Sequence, residues 1–187
     1  MATSINNLSV LVVDSDLEWR EFTCHTLAEF GIQAVVGCGE SSEALEHLDH
    51  DKIDVIFIDS AIAPVDGLSL VKKIRSVDHN NRATPPIIFM TGRVSDDMLS
   101  DSRRAGANDF LVKPFTPIDL MGHLMSVIER PQPFIRTRTY FGPDRRLAPY
   151  NSNNGEDRRD GEARRTDGET TGEAADGLPP IYASKAR

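Results

Sequence analysis

Four polar residues of this chain stand where apolar runs stop. Asp14 ends "LSVLVVD", Asp59 ends "DVIFID", Thr91 ends "PIIFMT" and Lys113 ends "DFLVK". Together they are two carboxylates, a hydroxyl and an amine. Carboxylates that share a site need their charge offset, and a hard divalent cation with oxygen ligands and retained waters does this. An amine pairs with a carboxylate or with a phosphoryl oxygen. The set therefore suits Mg²⁺-dependent phosphoryl transfer. A single Asp or Thr at a strand end is often only a helix cap. Four residues obeying one rule point to a site. One neighbour is out of character: Ser15 stands beside Asp14 where a second carboxylate would serve best, and a neutral hydroxyl is a poorer ligand for a hard cation.

These residues need a scaffold that brings strand ends together. Strand-like runs at 8–14, 32–37, 54–59, 86–91 and 109–113 alternate with helix-like segments at 16–30, 41–49, 67–77, 96–106 and 117–129. The β-branched run 8–14 reads as a strand buried on both faces. In 16–30, Trp19, Phe22, Thr23, Thr26, Leu27 and Phe30 fall at helical spacing, with Gly31 as the stop. Ser41 or Ser42 is expected to cap the second helix. Five β/α units in succession predict an α/β fold: a doubly wound, five-stranded parallel sheet with helices on both faces. Such sheets carry their chemistry at the carboxyl ends of the strands.

Composition divides the chain of 187 residues into a short N-terminal segment 1–7, expected to be flexible, a globular region 8–130 and an extension 131–187. The extension is poor in aliphatic residues and rich in Gly, Asp, Glu, Arg, Thr and Pro, a mixture that cannot offset the entropy of ordering. It is expected to be disordered, with a candidate interaction motif at 134–146. There Arg136, Arg138, Arg145 and Arg146 surround Phe134, Tyr140 and Phe141, and "GPDRR" is echoed as "GEDRR" and "GEARR". Net charge is −8; residues 1–130 carry 11 basic against 20 acidic side chains, and residues 131–187 carry 10 against 9. An acidic globular region is a poor nucleic-acid binder, and no helix-turn-helix or finger spacing is present, so direct nucleic-acid binding is not expected. Cys24 and Cys38 lack metal or disulfide spacing, and no run approaches the length of a membrane span, which together fit a cytoplasmic protein.

The motifs "LVVDSD", "DVIFIDSAIAPVDGLSLVKKIR", "IIFMTG" and "GANDFLVKPF" resemble, in order and close to spacing, the receiver domain of bacterial two-component response regulators, over residues 8–130. The resemblance implies a flavodoxin-like (βα)5 fold. It implies that Asp59 accepts a phosphoryl group from a histidine kinase or histidine phosphotransfer protein in the presence of Mg²⁺. It makes Asp14 and Asp59 metal ligands together with the backbone carbonyl of Ala61. Thr91 and Phe110 become the switch pair, Lys113 the conserved-type lysine, and Lys113-Pro114 a candidate cis peptide. The product would be a switch in protein–protein contacts with an unknown downstream partner, not an enzyme. The Arg-rich stretch is similar to the "FxRTRxYFGPDRR" extension of some single-receiver, chemotaxis-regulator-like proteins.

Ser15 departs from the family pattern, so weaker Mg²⁺ binding is expected, with Ser15 or Asp16 acting through water. Asp16 also suits the first helix cap, and Ser15-Asp16-Leu17-Glu18 fits an S-x-x-E capping box. One alternative is an interaction module that works without phosphorylation. A second is a haloacid-dehalogenase-type phosphatase, with Asp14 as nucleophile and Asp16 as acid/base. That reading leaves "FIDSAIAPVDG" unexplained and offers no acidic pair after Lys113.

Overall fold

The computed structural model describes residues 5–76, 85–137 and 140–144, all within one compact unit. Five strands, β1 (Ser9–Val13), β2 (Ala34–Cys38), β3 (Val55–Asp59), β4 (Ile87–Thr91) and β5 (Asp109–Val112), form one parallel sheet in the order β2-β1-β3-β4-β5. Helices α1 (Leu17–Glu29), α2 (Ser41–His50), α3 (Gly67–Ile74), α4 (Asp96–Ala105) and α5 (Pro117–Glu129) connect them in turn or follow the last. The doubly wound α/β expectation is met.

Alternation along the strands makes two cores. Leu11, Val13, Ile56, Ile58, Ile87 and Phe89 face α2, α3 and α4 residues such as Ala44, Leu70 and Ala105. Val10, Val12, Phe57, Ile88 and Met90 face Leu27 of α1 and Leu120 and Leu124 of α5. Successive side chains of a strand point to opposite faces, so a strand buried on both sides must be apolar throughout. All five residues of β3 and of β4 are buried.

Several local expectations change. Asp16 caps α1, accepting from the Glu18 and Trp19 amides, so the S-x-x-E box starting at Ser15 does not form. Helix α2 has Glu40 at its cap position without a side-chain bond to the helix amides; Ser42 donates its hydroxyl to Glu40, and Ser41 donates its own to the Ala63 carbonyl in the next connection. Phe22 and Phe30 are 37% and 42% exposed, while Thr23, Thr26 and Leu27 fill the buried stripe of α1. Residues Ile5–Asn7, expected to be flexible, form a 3-10 turn whose Asn6 carbonyl accepts from the Gln33 amide. The Lys113-Pro114 peptide, a candidate cis bond by the resemblance alone, is cis; Ala63-Pro64 is cis as well.

Within 131–187, read from composition as a disordered extension, the structure places two short antiparallel strands, β6 (Phe134–Arg136) and β7 (Phe141–Pro143). Arg138, Arg145 and Arg146 of the expected motif, and everything after Asp144, lie outside the described residues. The hairpin holds through tertiary contacts that composition does not report. The Arg75 guanidinium stacks on the Phe134 ring at 5.1 Å, and a Cβ on Gly142 would sit 3.3 Å from the Gly106 Cα. Arg75 is 4% exposed. It donates to the Gly106 and Pro85 carbonyls and to Asn108 Oδ1, and its Nη1 has no partner among the described residues. Burial lowers its pKa to about 9.

Candidate functional site

Each parallel strand delivers its last polar residue to the same sheet edge. Asp14 follows β1, Asp59 and Thr91 close β3 and β4, and Lys113 follows β5. The Lys113 ammonium joins the two carboxylates, donating to Asp14 Oδ2 at 2.6 Å and to Asp59 Oδ1 at 2.7 Å. All three side chains are at most 9% exposed. In such surroundings an ion pair needs further hydrogen bonds to its spare lone pairs. They are present: the Asp16 amide donates to Asp14 Oδ1 at 3.0 Å, and the Ala61 amide to Asp59 Oδ2 at 2.7 Å. Burial pushes the Asp14 carboxyl above its usual range, with Lys113 pulling the other way. Behind Asp59, Gly67 lets α3 begin against the strand end, since a Cβ there would meet the Asp59 carbonyl oxygen at 2.2 Å.

Thr91 stands on the same edge but bonds elsewhere. Its hydroxyl accepts from Ser60 Oγ at 3.0 Å and exchanges bonds with the backbone of Arg93. Phe110 is half-buried and stacks on Phe89 with ring centroids 6.1 Å apart. Ser15, which lacks the carboxylate that would serve a metal best, donates its hydroxyl to the Ala61 carbonyl at 2.6 Å. Asp16 spends its carboxylate on the helix cap.

The place of Ser60 in the site was missed in the sequence, as was the contact of Trp19 with Lys113. Ser60 could have been suspected as the hydroxyl beside Asp59. Trp19 follows only from the turn of α1, which sets its ring centroid 5.4 Å from the Lys113 ammonium. Burial pushes the Cys38 thiol up to about 12 and raises that of Cys24 as well.

Among the described residues, no group of three or more His, Cys, Asp or Glu side chains is arranged to hold a metal. Two carboxylates with a nearby carbonyl nonetheless fit Mg²⁺, which is commonly held by one or two carboxylates, waters and a substrate phosphate. The donor set is all hard oxygen, with Asp14, Asp59 and the Ala61 carbonyl as the residues that would hold the ion.

Comparison with known proteins decides the family. The response regulator receiver domain model matches residues 10–125. This chain belongs to that family. The receiver is 36% identical over 105 residues to the CAI-1 autoinducer sensor kinase/phosphatase CqsS of Vibrio cholerae, covering 56% of this chain and 15% of that protein. It is 31% identical over 129 residues to the transcriptional regulatory protein GltR of Pseudomonas aeruginosa, covering 69% and 52%. Against the chemotaxis protein CheY1 of Helicobacter pylori it is 33% identical over 111 residues, covering 59% and 88%. The chain thus spans about half or less of the first two relatives. Among solved structures, CheY4 of Vibrio cholerae superposes with a TM-score of 0.59 at 30% identity, covering 65% of this chain and 98% of that one. A putative response regulator from Chloroflexus aurantiacus gives 0.61 at 27%, covering 66% and 99%. No helix among the described residues is long and apolar enough to cross a membrane.

Proposed function

We propose that this receiver accepts a phosphoryl group on Asp59 from a phosphohistidine of a histidine kinase or histidine phosphotransfer protein, and answers by changing its contacts with a downstream protein. The observation that carries the reading is the single ammonium of Lys113 bonded to both Asp14 and Asp59 at the strand ends. An Asp59 oxygen attacks phosphorus, an O–P bond forms, and the N–P bond breaks with its electron pair going to the imidazole. Mg²⁺, when bound by Asp14, Asp59 and the Ala61 carbonyl, supplies positive charge against the phosphoryl oxygens. Lys113 neutralises the carboxylate before transfer and pairs with a phosphoryl oxygen after it. The Ala61 amide holds Asp59 Oδ2 in place. Thr91 is the hydroxyl on the same edge that can exchange the bond it donates to the Arg93 carbonyl for one donated to a phosphoryl oxygen, with Phe110 beside it on β5; a local charge change then biases a two-state element.

A phosphorylation-independent interaction module is the second reading, favoured by the Ser15 hydroxyl on the Ala61 carbonyl, a candidate metal ligand. A phosphatase using Asp14 and Asp16 is disfavoured, because the Asp16 carboxylate is engaged in capping α1. The deciding experiment is labelling of the full chain with radioactive acetyl phosphate and Mg²⁺. Label is expected in the wild type, sensitive to hydroxylamine as an acyl phosphate is, and absent from Asp59→Ala. Label that survives this substitution would overturn the proposal, and failure to label at any Mg²⁺ concentration would leave the second reading standing.

A further inference from the structure

The Lys113 ammonium bonds to both Asp14 and Asp59, so two of its three protons are committed to carboxylates at the ends of two different strands. A lysine head on a four-carbon stem is otherwise free to choose among rotamers, at an entropy cost when one is imposed. A further neighbour of complementary electrostatics is the indole of Trp19, 5.4 Å from Nζ to the ring centroid. A cation within about 6 Å of an indole face is attracted by the ring quadrupole, more strongly where water is displaced.

The indole is itself held. It lies tilted against Phe115, with centroids 5.0 Å apart, and edge-on to Phe22 at 5.7 Å. Phe115 is 6% exposed and follows Lys113 by two residues across the cis Pro114. On the backbone side, the Trp19 amide donates to the Asp16 cap, and its carbonyl accepts from Thr23 Oγ1 at 2.8 Å. Helix α1 and the segment after Lys113 therefore meet at one ring, whose own backbone is tied to the loop that carries Asp14. An uncharged face suits this position. A carboxylate there would draw the ammonium away from Asp59, whereas a quadrupole holds it without a full charge to compete with the phosphoryl group.

We propose that Trp19 is a positioning residue for Lys113. Its indole face keeps the ammonium within reach of both carboxylates, and so sets how readily Asp59 is phosphorylated. The inference rests on Asp59 as the acceptor only for its kinetic arm. Trp19 is the one tryptophan of the chain, so biosynthetic fluorotryptophan replaces this ring alone. Fluorine weakens the quadrupole while nearly preserving shape, which separates electrostatics from packing.

The full chain would be prepared with tryptophan, monofluoro- and trifluorotryptophan, and the Trp19→Phe and Trp19→Leu variants made alongside. Two readouts are followed: the ¹⁵Nζ signal and hydrogen exchange of the Lys113 ammonium, and the initial rate of acetyl phosphate labelling. Exchange is expected to speed up stepwise with fluorine count, and labelling to slow by about threefold over the series. Trp19→Phe should lie near the trifluoro form and Trp19→Leu about tenfold below wild type. Ammonium exchange indifferent to fluorination would overturn the proposal, whether or not Trp19→Leu folds. If wild type does not label at all, the acceptor reading fails, and the ammonium readout still decides the role of Trp19.

Discussion

Ser15 shows what one missing carboxylate does. Its hydroxyl reaches across to the Ala61 carbonyl at 2.6 Å and ties the β1–α1 connection to the one after β3. Two carboxylates remain for a cation, and one ammonium already serves both. Ligand charge count is a main lever on the affinity of a hard cation. Ser15→Asp is therefore expected to tighten Mg²⁺ binding by about tenfold, the equivalent of roughly 1.4 kcal/mol. Trp19 fluorescence is the natural readout, because the indole lies against the Lys113 ammonium. Equal affinities in the two proteins would remove Ser15 from the account. A second residue-scale prediction concerns Asp14. Burial raises its pKa, so the ionised form works against folding. Asp14→Asn should raise the melting temperature at neutral pH while weakening Mg²⁺ binding; a lower melting temperature would mean that the pair with Lys113 outweighs desolvation.

At the scale of elements, two glycines should respond in opposite ways. Gly122 lies inside α5 with nothing within 4 Å of an added Cβ, so Gly122→Ala is expected to stabilise by about 0.5–1 kcal/mol. Gly67→Ala forces a methyl against the Asp59 carbonyl, so α3 or the strand end must move, and both stability and phosphorylation should fall. Urea denaturation of the two variants tests the pair. The strands, their order of use and the shared edge of Asp14, Asp59, Thr91 and Lys113 were legible in the sequence, because apolar runs and their polar ends follow from strand geometry alone. The contacts of Ser15 and Trp19 were not. The Ser15–Ala61 bond spans 46 residues and depends on which way a short side chain turns out of a loop. The β6–β7 hairpin was hidden for a different reason. Its three-residue strands are too short for alternation to show, and they are held by Arg75 and Gly106 from other elements. Gly106 has φ of 108°, so it is favoured there on backbone grounds as well as by its closeness to Arg75. Removal of residues 131–187 should leave cooperative unfolding intact but cost roughly 1–3 kcal/mol, since Phe134 and its neighbours no longer cover the Arg75 guanidinium.

For the whole molecule, pH sums the ionisable groups. The hydrogen bond to Asp109, 2.7 Å long, raises the His123 pKa above 6.5, so its stabilising contribution is complete below 6.5 and is lost as pH rises through the folded value. Asp14, also raised, acts in the same sense at lower pH: its contribution is complete below 3.8 and lost as pH rises through its own folded value. Asp66 and Asp119 are lowered by hydrogen bonds from the Ser69 and Thr116 hydroxyls, so theirs is present above 3.8 and lost as pH falls through the folded values. Stability should therefore decline on the alkaline side of 6.5, and His123→Gln should flatten that decline. Urea midpoints measured across the range give the answer; an unchanged slope in the variant would place the titration elsewhere.

The hairpin sits at the opposite edge of the sheet from the carboxylates, against the far ends of α3 and α4. A strand of five residues, about 16 Å, separates the two edges. A fluorescent protein, an affinity handle or a surface tether fused directly after Asp144 would thus start on the underside of the molecule, leaving the strand-end face open to a phosphodonor.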